Sequence, residues 1–349
     1  MFTRFAMVLV PLHATPADQP PPLTPTRLLT EWTWEWLMAL GIAVAAGLYM
    51  AGLVVLRRRR DRWPVRRSLS FLLGGLGSIA LATLSALGTY DTVLLSVHMV
   101  QHMILMMVAP MFLALGAPVT LALRTLPTRP RAMLRAVLHS RLARAVTFAP
   151  LVLALFIATP FALYYSAFYE LTLRSGFWHA FLHMHFIIIG CLLMWTLMGI
   201  DPVPGRVSYP FRLLILFLML PFHAFLGISI MSSTELIAEN WYLAFNRAWP
   251  PSPLDDQYLA GGILWASGDV IALVMLIALF AQWYASSQRE ARREDRRLDR
   301  LERLEQAALT PLSPHGEQVR ARYDQARAGR AAEADVRATG ARQLSGEDQ

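Results

Sequence analysis

The chain has 349 residues, 55% of them apolar, with a mean hydropathy of +0.41, a net charge of +8 and one cysteine. Its apolar residues come in blocks of about 20, long enough to cross a bilayer, which excludes an ordinary water-soluble fold. A single cysteine, Cys191, excludes an internal disulfide and any CxxC metal or redox motif. The positive charge is all arginine and sits at block boundaries without an aromatic-rich soluble module, so it reads as membrane topology and not as nucleic-acid binding.

In chain order, residues 1–33 form an extracytoplasmic segment. Arg4, the short apolar run Ala6 to Leu12 and the small residues around Ala17 faintly resemble a signal peptide. Pro16 to Pro25 reads as extended chain leading to an interfacial belt of Trp32, Trp34 and Trp36. Residues 34–285 hold seven predicted spans, near 34–56, 68–88, 93–116, 146–165, 179–199, 211–232 and 259–284. The fold class is therefore all-α, a polytopic seven-helix transmembrane bundle. Pro110, Gly116 and Pro118 predict a kink or an end to the third span near Gly116, and Pro160 a bend in the fourth. The polar tail 286–349 predicts a short helix carrying Leu298, Leu301 and Leu304, then disorder.

Arginine sets the orientation, because cytoplasmic loops beside spans carry the excess positive charge. Seven arginines crowd residues 57–67 and six lie in 124–145, whereas Arg174 and Arg247 are alone in their connections and 89–92 has none. The N-terminus is therefore predicted outside and the C-terminus inside, in the cell membrane of a bacterium.

Two histidine pairs spaced i and i+4 enter the spans, His98 with His102 and His179 with His183. Members of a pair share a helix face. At 1.5 Å per residue they lie roughly 8 and 14 Å, and roughly 2 and 8 Å, below the outer ends of the third and fifth spans. A lone intramembrane histidine is usually a hydrogen-bonded packing residue. Two pairs at overlapping depth fit a shared metal ion better, since packing does not demand coincident depth. His223, in the outer half of the sixth span, and Asp269, in the seventh, approach the same level. Asp269 reads either as an acceptor behind a ligating histidine or as a relay or neutral carboxyl. Met106 continues the third-span series at i+8, and Met219 stands one turn from His223; each is either a thioether ligand or core packing. His185, about 200° from His183 around the helix, is off the shared face.

The series His98-Met-Val-Gln-His102 with Val108-Ala-Pro-Met, Leu115-Gly-Ala-Pro-Val119, Trp178-His-Ala-Phe-Leu-His-Met-His185, Gly199-Ile-Asp-Pro202 and Pro221-Phe-His-Ala-Phe225 resembles the multi-span CtaG family, over about residues 30–285. That resemblance implies an assembly factor for a haem-copper cytochrome c oxidase, not an enzyme, with nascent oxidase subunits and the bilayer as partners. By position it implies His98, His102, His179, His183, His185 and His223 as the family's histidines. The imidazole and thioether donors point to copper as cargo. A bis-His b-type haem carrier and a copper or proton transporter stand as alternatives.

Overall fold

A computed structural model describes residues 14–16, 20–202, 207–309 and 317–330. The expected signal-peptide core and the disordered end of the tail lie outside these residues, apart from the helix at 317–330. The chain divides into two units, 1–280 and 281–349. The spanning helices are α1 (Trp36–Arg58), α2 (Val65–Leu84), α3 (Leu95–Thr125), α4 (Ala149–Tyr164) with α5 (Phe168–Arg174), α6 (Gly176–Met198), α7 (Tyr209–Ser232) and α8 (Pro253–Leu309). Six are long and apolar enough to cross a membrane, and seven spans result when the α4–α5 pair, bent by 73°, counts as one. No strand occurs among the described residues; only an isolated bridge pairs Trp32 with Ser85.

The centre of the first unit is the pair α3 and α6, with 56% and 61% of their most apolar stretches buried against 17% for α1. α2 packs on the far side of α3, and α4 fits between α6 and α7. Lipid-facing α1 shows why: Leu37, Leu40, Val44, Leu48 and Val54 are exposed, as an apolar solvent permits. α7 and α8 cross at Gly227 and Gly261, where a Cβ on either residue would lie 2.5–2.7 Å from the other's carbonyl oxygen. Close helix crossings of this kind need small residues, because lipid supplies no hydrophobic drive to press helices together.

α3 is irregular in two places. Ile104–Val108 is a π-helical turn, immediately ahead of Pro110. Proline cannot donate to the carbonyl four residues back, so the widened turn accommodates a ladder already broken at Met106. Farther in, the chain reverses hand at Ala117 (φ 50°) and the helix restarts at Pro118, at the position where Gly116 and Pro118 predict a break. The restart is capped from another element: Asp201 accepts hydrogen bonds from the backbone N–H of Val119 (3.1 Å) and Thr120 (2.8 Å), and from Trp195 Nε1 (3.2 Å). Pro160 lies inside α4, and the sharp bend comes later, between Tyr164 and Phe168.

The two arginine-rich connections meet at one end of the bundle. Arg59 Nη1 donates to the Arg124 carbonyl at 2.9 Å, and Asp61 pairs with Arg124 at 3.5 Å. Trp32, Trp34, Trp36 and the start of α1 lie at the other end, held by the Thr33 N–H bond to the Leu84 carbonyl at 3.1 Å.

Candidate metal centre

Three local features bring polar side chains together at the tryptophan end. The Thr33–Leu84 tie sets Glu35, which precedes α1, beside the C-terminal end of α2. A break at Ser85 and the short helix Ala86–Tyr90 turn the chain so that Asp91 points inward with no exposure. Asp256 of α8 caps α3, accepting from the Leu95 N–H at 2.6 Å and from the Ser96 hydroxyl. An anion at a helix N-terminus stabilises the unpaired amides there, and it fixes the first turn of α3, from which His98 projects.

Asp91, His179 and His183 are all buried, and each presents a ligand atom within 4.8 Å of the others. His179 Nε2 lies 3.0 Å from Asp91 Oδ2, and the two imidazoles are 4.5 Å apart between centroids. His98 completes the cluster from α3, its ring 6.1 Å from that of His179 and 5.2 Å from Tyr169. Only 1% of His98 is exposed, and neither ring nitrogen has a hydrogen-bond partner. Leaving such a group unsatisfied costs about 1–3 kcal/mol.

Proton positions follow from Gln101, which lies between His98 and His102 on α3. Its Nε2 donates to the Ala82 carbonyl (3.0 Å) and to Asp91 Oδ2 (2.8 Å). A carbonyl only accepts, so the amide nitrogen is fixed there and Oε1 faces His183 Nε2 at 2.9 Å. His183 Nε2 therefore donates, and the 3.2 Å contact of its Nδ1 with Glu35 Oε2 holds one further proton shared between ring and carboxyl. The cluster thus sets two carboxyl groups, Asp91 and Glu35, against the two imidazoles of His179 and His183.

A roof of connecting segments covers the cluster. Tyr169 and Tyr242 share a hydrogen bond of 2.7 Å, and Trp241 Nε1 donates to the Thr92 carbonyl at 2.8 Å. Arg247 lies over the Trp249 ring at 4.8 Å; burial lowers its pKa and nearby Asp256 opposes that shift.

The other predicted residues scatter. His102 lies a turn deeper, stacked on Phe186 at 4.3 Å, with Nδ1 2.9 Å from the Tyr164 hydroxyl and Nε2 3.1 Å from Met106 Sδ. His223 is buried beside Phe156, with Met219 one turn away and also buried. His185 turns toward α4, where Thr159 Oγ1 is 3.1 Å from its Nε2, and lines a cleft of about 300 Å³ outside the cluster. Asp269 is partly exposed and its Oδ1 has no hydrogen-bond partner; the carboxylates beside the histidines are Asp91 and Glu35. Sequence reasoning passed over Glu35, Asp91 and Gln101. The available signals were a carboxylate inside the Trp34-Glu-Trp36 belt, one in the short 89–92 turn, and an amide between two histidines.

A family model described as cytochrome c oxidase caa3 assembly factor (Caa3_CtaG) matches residues 47–286. Curated relatives include the uncharacterized proteins Mb0105 of Mycobacterium bovis and MT0111 of Mycobacterium tuberculosis, each 38% identical over 290 residues. ML1998 of Mycobacterium leprae is 34% identical over 289 residues. Each alignment covers 81% of this chain and 44% of the relative, so the chain spans less than half the length of these proteins. No solved structure matches.

Proposed function

The chain belongs to the family of cytochrome c oxidase caa3 assembly factors, and we propose that it serves oxidase maturation by binding copper at the cluster of Asp91, His98, His179 and His183 and releasing it to a nascent oxidase subunit. The observation that carries this reading is His98, a buried imidazole with neither nitrogen hydrogen-bonded, set against the only group of three metal-capable side chains found among the described residues. Three imidazoles and a carboxylate form a nitrogen-rich donor set on which copper(II) outcompetes the other first-row divalent ions. Glu35 holds the Nδ1 proton of His183 from behind, as residues behind metal ligands commonly do, and Nε2 exchanges its hydrogen bond to Gln101 for the metal.

Absence of thiolate favours release, because nitrogen and oxygen ligands exchange with protons and with a competing acceptor. The site sits at the bundle end opposite the paired arginine loops. By the positive-inside rule that end is extracytoplasmic, with the N-terminus outside and the C-terminus inside. Copper is then received and delivered on the outer face of a bacterial cell membrane.

The test is copper content of detergent-purified protein after loading and desalting. About one copper per chain is expected in wild type, with loss in the His98→Ala/His179→Ala double variant. Protein that holds no copper in either redox state removes this reading.

A further inference from the structure

We propose a binding site for one anionic phospholipid in the groove between α2 and α3 at the arginine-rich end of the bundle. Arg66 and Arg67 take the phosphodiester, and Leu69, Phe112 and Leu115 take the start of an acyl chain. None of these residues belongs to the histidine cluster, so the proposal is independent of the copper reading.

The groove follows from the way α2 begins. Its first turn, Val65–Leu69, runs into a π-helical stretch at Ser70–Leu76. Within that stretch Gly74 and Gly75 let α3 close in, since a Cβ on them would lie 2.6 Å from the Phe112 ring and 2.5 Å from the Leu113 side chain. The Ser70 hydroxyl donates to the Phe112 carbonyl at 2.8 Å across the same contact. Beside this seam is a groove of about 750 Å³, with Arg66 and Arg67 at one end, Gly74 and Phe112 at the other, and Leu69 and Leu115 along it. At 1.5 Å per residue, Arg66 and Gly74 are about 12 Å apart along α2, room for a headgroup and the first methylenes of a chain. Leu69 and Leu73 are 51% and 71% exposed on this part of α2, so lipid chains reach the edge of the groove.

Charge selects the headgroup. The residues lining the groove include no carboxylate. The two connections at this end carry thirteen arginines against one acidic residue, Asp61, which already pairs with Arg124 at 3.5 Å. Arg67 stands over the Trp63 ring at 5.1 Å, and Trp63 Nε1 donates to the Tyr49 hydroxyl at 3.2 Å, so the guanidinium rests on an anchored aromatic face. Guanidinium groups match phosphate oxygens in geometry as well as charge, and basic pockets between spans take anionic lipid headgroups in this way. Arginines serving topology alone would require no groove beside them. A free inorganic anion would gain nothing from the leucines and the phenylalanine, whose apolar surface favours a ligand that carries a chain.

The test is native mass spectrometry of the full-length protein in detergent, titrated with phosphatidylglycerol or with phosphatidylcholine of identical chains. The first phosphatidylglycerol should bind wild type at least about tenfold tighter than phosphatidylcholine, and Arg66→Gln/Arg67→Gln should erase that preference. Arg58→Gln/Arg62→Gln removes the same charge from the same connection outside the groove and should leave the preference in place. Leu115→Trp, which fills the groove while keeping both arginines, should weaken phosphatidylglycerol by a similar factor. In thermal unfolding, phosphatidylglycerol should raise the wild-type midpoint more than that of Arg66→Gln/Arg67→Gln, whereas inorganic phosphate should act on both alike. No preference in wild type, an equal loss in the two arginine double variants, unaltered binding in Leu115→Trp, or a phosphate effect that depends on Arg66 and Arg67 overturns the proposal.

Discussion

Gln101 touches three elements at once: Ala82 of α2, Asp91 of the turn after it, and His183 of α6. Replacing it by Leu keeps the volume and strips a partner from both Asp91 and His183, so Gln101→Leu should destabilise the fold by about 1–3 kcal/mol. Thermal unfolding in detergent checks this, and an unchanged midpoint would mean that the network does not hold the cluster. The same residue shows what sequence could and could not reveal. The paired histidines are legible because i, i+4 spacing in an apolar run has few other uses. Glu35 and Asp91 sit where spans end, and carboxylates are ordinary there, so nothing in composition marks them as buried. Asp269 drew attention for the opposite reason, its place in mid-span. Hydropathy gives depth along a helix but not direction around it, and Asp269 is on a partly exposed side.

At the level of elements, α3 and α6 are held in register by a close approach of backbones. A Cβ at Gly190 would lie 2.2 Å from the Met106 carbonyl oxygen and 2.7 Å from Pro110. Pro110 leaves that carbonyl without its helical donor, and the glycine lets α6 come down on it. Gly190→Ala should therefore separate the helices and cost about 1–3 kcal/mol, visible as a lowered unfolding midpoint together with weakened copper binding. Copper binding unchanged in a destabilised variant would show that the cluster tolerates a shift of α6 against α3. A second element-level test concerns the restart of α3. Asp201→Ala removes the acceptor for two helix amides and for Trp195, with an expected loss of about 1–2 kcal/mol in the same assay. Proline and glycine made the break near Ala117 readable in advance. The π turn was not readable, because a single inserted residue barely disturbs the apolar period over a span this short, and neither was the 73° bend after Tyr164, where no proline or glycine stands.

For the whole molecule, function depends on which side of the membrane the cluster opens toward. The Arg59–Arg124 contact places the 57–67 and 124–145 connections at one end, with Glu35, Asp91 and His183 toward the other. Thirteen arginines in two short loops give a strong bias toward the cytoplasm. Impermeant thiol labelling on intact cells tests the orientation directly, since Cys191 is the sole cysteine and is only 7% exposed. In a Cys191→Ala background, a cysteine replacing exposed Thr234, just past α7, should label from outside. One replacing exposed His139, in the arginine-rich connection, should label only after lysis. The reverse pattern would open the cluster to the cytoplasm, where it could not meet copper arriving from outside, and would overturn the direction of transfer while leaving the binding chemistry intact.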